Sequence, residues 1–250
     1  MTYPSGTPAW VDLQSADVDR AKDFYSRLFG WDVDEIPAPE AGGYALFRSD
    51  GKMVAGVGPQ MGEMQGAPAS WMTYVYVDDV DAAAARIRDA GGQVFMEPFD
   101  VLDQGRMCVA ADPTGGAFGV WQPKQHTGAE KVNEPVSLTW NELWTADRGA
   151  ASSFYASVFG WQPQAMDEFP YDVMDLDGRS VAGVAQREEG DERPPTWLAY
   201  FSVADCDDVV SRAQEAGAEC LREPRDSPNG RSAVLPDPQG AVFAVNRAAA

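Results

Sequence analysis

Histidine is almost absent from these 250 residues: His126 is the single one. A metal site of the two-histidine, one-carboxylate kind therefore cannot be assembled within one chain. Cysteine is nearly as scarce, and Cys108, Cys206 and Cys220 are odd in number and far apart, with no zinc or redox spacing. They read as small buried thiols in a reducing compartment. Basic residues are few, 19 Lys plus Arg against 39 Asp plus Glu, for a formal charge of −20. Such a surface repels phosphate backbones and anionic headgroups, so neither nucleic acid nor a membrane is an expected partner, and the charge serves solubility. No apolar run approaches the length of a membrane span. The opening residues MTYPSGTPAW lack the basic and apolar regions of a secretion signal. A cytoplasmic protein is the expectation.

What is present is a duplication. FYSRLFGW at 24–31 returns as FYASVFGW at 154–161, an offset of 130. PASWMTYVYVDDVD at 68–81 matches PPTWLAYFSVADCD at 194–207 at an offset of 126, and GRMCVAADPTGGAFGV at 105–120 matches GRSAVLPDPQGAVFAV at 230–245 at 125. The shrinking offset marks loop residues lost from the second copy. The polar segment PKQHTGAEKVNEP falls between them. The division expected is a first domain over 1–122, a linker over 123–135 and a second domain over 136–250. His126 is expected in solvent within that linker.

Each copy has a legible local pattern. Trp10 to Gln14 alternates as a strand does. Asp17 stands where an N-cap belongs, Val18, Ala21, Phe24, Tyr25 and Leu28 recur at helical spacing, and Gly30 ends the run. Three short strands follow, near 32–36, 44–48 and 53–57. The order then repeats, with a strand at 71–77, a helix at 79–90 closed by Gly91, and strands near 93–95, 106–110 and 117–121. The chain thus reads as α+β, with four strand–helix–three-strand modules. GVGPQMG at 56–62 brushes against a dinucleotide fingerprint, but its spacing fails and Pro59 blocks a helix, so it reads as a strand exit. Asp112-Pro113 and Asp237-Pro238 read as structural turns.

The helix signature Asp17, Phe24, Tyr25, Phe29 and Gly30, the segment VDDVDAAAARIRDAGG and the closing ADPTGGAFGVWQ, with their second-copy counterparts, resemble the vicinal oxygen chelate superfamily of glyoxalases, bleomycin-resistance proteins and extradiol dioxygenases. The W-x-[DE]-L strand looks closest to a tandem actinobacterial branch labelled glyoxalase-like or "hydroxylase". The resemblance implies that paired modules curl into cups holding a divalent metal, with ligands from the first and last strands of modules. Carried over residue by residue, those positions are Trp10 and Trp140, Met72 and Leu198, Gly119 and Ala244. None can bind a hard cation through its side chain, so no metal and no other cofactor is expected.

Strand alternation places Trp10, Asp12 and Gln14 on one face, which the resemblance turns toward the first cup, and Trp140, Glu142 and Trp144 toward the second. Met72, Tyr74 and Tyr76, with Gly119 and Trp121, line the rest of the first. Leu198, Tyr200 and Ser202, with Ala244 and Asn246, line the rest of the second. An aromatic lining with a few polar groups is the composition of a small-molecule pocket, with Gly119 and Ala244 leaving room; the same rings could instead fill the space. Asp12 and Glu142 are the candidate catalytic residues, because a buried carboxylate demands a partner or a purpose. The partner could be Arg106 or Arg231. Three functions follow: metal-independent binding of a hydrophobic, aromatic small molecule; a metal-independent isomerase, hydratase or lyase using Asp12 or Glu142 as acid or base; or a scaffold with closed pockets. The two copies are expected to dock as a pseudo-dimer within a monomeric chain.

Overall fold

A computed structural model describes residues 3–60, 66 and 68–249. The first copy supplies β1 (Pro8–Ser15), α1 (Val18–Phe29), β2 (Asp32–Glu35), β3 (Ala45–Ser49) and β4 (Lys52–Pro59). It continues with β5 (Ser70–Tyr76), α2 (Val80–Asp89), β6 (Gln93–Val101), β7 (Gly105–Ala111) and β8 (Ala117–Pro123). The second copy repeats the order as β9 (Leu138–Thr145), α3 (Arg148–Phe159), β10 (Gln162–Ala165), β11 (Tyr171–Leu176) and β12 (Arg179–Gln186). Its second module is β13 (Thr196–Ser202), α4 (Cys206–Glu215), β14 (Arg222–Ser227), β15 (Gly230–Pro236) and β16 (Val242–Ala248). Each copy makes one mixed eight-stranded sheet, ordered β2-β3-β4-β1-β5-β8-β7-β6 and β10-β11-β12-β9-β13-β16-β15-β14. The expected α+β fold of tandem domains with four repeated modules is the observed one. Among the described residues no helix is long and apolar enough to cross a membrane.

The local signals act as their chemistry dictates. Asp17 and Asp147 cap α1 and α3 by accepting from Arg20 N and Ala150 N, and Gly30 and Gly160 end them at φ 71° and 75°. The β3–β4 and β11–β12 hairpins turn on Asp50-Gly51 and Asp177-Gly178, with positive φ at all four residues, the turn whose twist matches paired strands. Strand β6 runs further than its sequence suggests, through Pro98. It is an edge strand, and its register slips between Met96 and Phe99, which accommodates a residue with no amide proton. The GVGPQ portion of the fingerprint-like segment is the end of β4 and its exit; Met61 and Gly62 lie outside the described residues.

The chain packs as two compact units, each drawn from both copies. One comprises Met1–Trp10, Thr73–Gly128 and Trp140–Leu198; the other comprises Val11–Met72, Ala129–Thr139 and Ala199–Ala250. In the first unit α2 and α3 share a core with β7, β8 and β12, built on Ile87, Phe118, Phe154 and Tyr155. In the second, α1 and α4 share a core with β1, β3 and β16, built on Leu13, Tyr25, Phe47 and Phe243. The repeated FY phrase faces these cores. Tyr25 donates to Asp237 (3.2 Å) and accepts from Trp71 (3.0 Å); Tyr155 donates to Asp112 (2.9 Å) and accepts from Trp197 (2.9 Å). Each Asp-Pro turn therefore receives a tyrosine from the other copy. The Asp112 carboxylate also ties its own turn through Thr114 N at 2.7 Å, and Asp237 does so through Gln239 N at 2.8 Å.

Candidate functional site

The face of β1 opposite its core residues Val11 and Leu13 carries Trp10, Asp12 and Gln14, and all three are buried. Asp12 Oδ1 accepts from Gln14 Nε2 at 3.0 Å, and Asp12 Oδ2 accepts from the Tyr44 hydroxyl at 3.3 Å. Tyr44 stands just before β3 and reaches the carboxylate across β4. It can do so because Gly56 lies opposite Asp12 in the parallel β1–β4 pair. A Cβ on Gly56 would come within 1.9 Å of the Tyr44 oxygen.

The second copy builds the same arrangement with different side chains. Gly183 pairs with Glu142 across β12 and β9, and a Cβ there would come within 1.7 Å of the Tyr171 hydroxyl. Glu142 accepts from the indole N–H of Trp144 and is hydrogen-bonded to Tyr171. Trp140 donates to the Tyr171 oxygen at 2.9 Å. Glu142 is buried, whereas Trp140 and Tyr171 are half-buried. A relay therefore runs from the Trp140 N–H through the Tyr171 O–H to the carboxylate. Burial, reinforced by the Glu142 charge, holds the Tyr171 hydroxyl well above the usual phenol range. It stays a proton donor across any ordinary pH. Arg193 lies over the Trp144 ring, its guanidinium carbon 5.7 Å from the ring centroid.

Tyr44 and Tyr171 were not among the residues expected from sequence. Their signal was the glycine inside an apolar strand at equivalent places in both copies, which marks a close approach from outside the strand. The arginines offered as partners for the carboxylates go elsewhere. Arg106 pairs with Asp81 at 2.9 Å, and Arg231 with Asp207 at 2.6 Å.

The remaining expected positions fall in registered pairs: Tyr74 opposite Gly119 and Tyr76 opposite Trp121, then Tyr200 opposite Ala244 and Ser202 opposite Asn246. Met72, Tyr74, Trp121, Leu198, Tyr200 and Ala244 are buried; Tyr76, Ser202 and Asn246 are half-buried. Two expectations need correcting. The room above Gly119 is taken by the Tyr74 ring, which comes within 2.2 Å of where a Cβ would stand. His126 is half-buried rather than solvated, its ring edge-on to Trp10 at 4.4 Å and to Trp121 at 5.6 Å. Its carbonyl accepts from Trp121 Nε1 at 2.9 Å, which draws the segment after β8 back onto these rings.

A divalent metal does not fit the residues present. The positions that would ligate it hold two indoles, a thioether, an isobutyl group, a glycine and a methyl group. Among the described residues, no three His, Cys, Asp or Glu side chains gather as a metal would need.

Residues 7–120 match the family model described as Glyoxalase/Bleomycin resistance protein/Dioxygenase superfamily, and residues 139–246 match the one described as Glyoxalase-like domain. The protein described as "Putative glyoxylase CFP32" from Mycobacterium tuberculosis is 43% identical over 249 residues, covering 97% of this chain and 95% of its own. "Anthracycline biosynthesis protein DnrV" from Streptomyces peucetius is 42% identical over 258 residues, covering 97% and 94%. Among solved structures, the Mn(II)-bound glyoxalase from Novosphingobium aromaticivorans superposes with a TM-score of 0.68 at 17% identity, covering 97% of this chain and 82% of that one. At these identities the structural likeness concerns the fold alone.

Proposed function

We propose that this chain, which belongs to the glyoxalase/bleomycin resistance protein/dioxygenase superfamily, binds a planar, hydroxylated aromatic small molecule without a metal. The observation that carries this reading is the pair of buried carboxylates, Asp12 and Glu142, each held by a tyrosine reaching across a strand glycine. Placing such a group twice at equivalent sites is costly unless it meets a ligand or a fixed set of donors. Neutral groups are among the donors to these carboxylates, the Gln14 amide, the Tyr44 hydroxyl and the Trp144 indole, and a carboxylate oxygen can also accept from a phenolic O–H. The indoles of Trp140 and Trp144 supply apolar surface beside Glu142. The Streptomyces relative carries anthracycline biosynthesis in its name, and an anthracycline is a planar polycyclic phenol.

Titration with 1,8-dihydroxyanthraquinone, followed by tryptophan quenching and calorimetry, tests the reading. Binding that weakens in Glu142→Gln supports it; indifference of binding to both Glu142→Gln and Asp12→Asn overturns it.

The Tyr171–Glu142 hydrogen bond favours one second reading, an acid–base role in an isomerase, hydratase or lyase step. A carboxylate with a neutral phenol beside it can accept a proton from a bound enol or phenol while the phenol donates to a neighbouring oxygen. Exchange of ligand C–H protons into deuterated water, lost in Glu142→Gln, separates turnover from binding.

A further inference from the structure

Arg193 is exposed, yet it is held as few surface arginines are. Its Nε and Nη2 make a forked pair with Asp191 at 2.9 and 2.6 Å, and its own amide donates to the same carboxylate at 3.1 Å. Its guanidinium carbon stands over the Trp144 ring, 5.7 Å from the centroid. Its backbone is clamped as well, because the buried guanidinium of Arg187 donates to the carbonyls of Arg193 and Pro194. Arg187 leaves its Nε without a hydrogen bond in doing so.

A tether alone does not require this. In the first copy Gln60 occupies the equivalent place and holds the equivalent carbonyl, Pro68 O, at 3.3 Å with a neutral amide. The residue matching Arg193 there is Ala67, which lies outside the described residues. The second copy therefore uses a buried cation, a costlier device, where it also carries a fixed arginine over Trp144, the residue whose indole donates to Glu142. With its guanidinium carbon over the Trp144 ring and its Nε and Nη2 on Asp191, the Arg193 side chain is held in place and is still 55% exposed.

We propose that the exposed part of the Arg193 guanidinium is a stacking platform for an electron-rich aromatic ring, making Arg193 the specificity-determining residue of the second copy. The inference rests on the reading that the chain binds hydroxylated aromatics. A guanidinium fixed in plane loses little freedom on stacking, and its charge favours rings rich in electron density over equally flat electron-poor ones. Lysine, a point charge without a plane, does not replace it.

The test uses the full chain and 1,8-dihydroxynaphthalene, an electron-rich fused ring, with 1,8-dihydroxyanthraquinone, whose carbonyls draw density from its rings, as the flat electron-poor comparison expected to lose less in Arg193→Ala. Arg193→Ala is expected to weaken binding about fivefold, the size of an exposed cation–π contact, with Arg193→Lys equally weak. An affinity unchanged in Arg193→Ala, while Glu142→Gln still weakens binding, overturns the platform and leaves the binding reading intact. Full rescue by Arg193→Lys overturns it too, since charge without a plane would then suffice. Failure of the unmodified chain to bind either probe removes both together.

Discussion

Tyr155 in the second copy donates its hydroxyl proton to Asp112 of the first at 2.9 Å, and Tyr25 of the first repays the contact to Asp237 of the second at 3.2 Å. The two tyrosines are fully buried, and burial is the leading reason that both hydroxyls sit well above the usual phenol range. Burial also raises the Asp237 carboxyl, against the pull of its backbone donors. A carboxyl raised in the folded chain stays protonated there while its unfolded counterpart has already ionised. The stability it contributes is present at low pH and is lost as pH climbs through the folded value. Asp237→Asn abolishes that titration. Urea midpoints for the two proteins are therefore expected to shift against each other as pH rises past the ordinary carboxylate range, with the unmodified chain losing ground. Parallel curves would contradict it.

Glu142 and Asp12 offer a second check. Glu142→Gln and Asp12→Asn keep the shape of each side chain and the acceptor for one donor. Ligand binding is expected to weaken while unfolding free energy changes by about 1 kcal/mol or less. A loss of roughly 3 kcal/mol or more would instead reveal a stranded charged partner.

Tyr171→Phe removes the oxygen that receives the Trp140 N–H and donates to Glu142. The change is expected to cost about 1–3 kcal/mol, the range for buried groups left unsatisfied, read from urea unfolding. Tyr44→Phe is expected to cost less, because its bond to Asp12 is longer, 3.3 Å.

Gly183→Ala would drive a methyl into the Tyr171 hydroxyl, 1.7 Å away. A destabilisation of about 1–3 kcal/mol is expected from such overpacking. In a Tyr171→Ala background most of that cost should vanish, since the clash partner is gone, so the double-mutant cycle is strongly non-additive. An additive cycle would show that the glycine serves something other than room for the tyrosine.

Protein purified without added metal is expected to carry less than about a tenth of an equivalent of transition metal, because its ligand positions hold carbon and thioether groups. Chelator should leave the melting temperature unchanged. Stoichiometric metal by mass spectrometry would contradict the metal-free reading.

The capping aspartates, the helix-ending glycines and the module order were legible because each depends on residues close in sequence. The face of β1 and β9 that carries Asp12 and Glu142 was legible for the same reason: alternation along a strand is local. Tyr44 and Tyr171 were not. They reach their carboxylates from two strands away, and only the register of Gly56 with Asp12 and of Gly183 with Glu142 reveals the path. His126 was misplaced because a polar, turn-rich composition describes a segment's backbone and says nothing of where one imidazole lands. The filling of the Gly119 space by Tyr74 is likewise a matter of rotamers, which residue patterns do not encode.

The drawing of each compact unit from both copies bears on how the chain is made. On the ribosome, residues 11–72 emerge first, but their partners at 199–250 emerge last. The earliest-synthesised half-core must wait, with its apolar helix face uncovered, for nearly the whole chain. The unit completed first is the other one, whose pieces end at Leu198. A stalled nascent chain released near 200 should thus already resist protease over 73–128 and 140–198 while remaining cleavable within 11–72. A chain cut in the 123–135 segment yields two halves, neither of which owns a whole core, and their route to the folded state is to find each other.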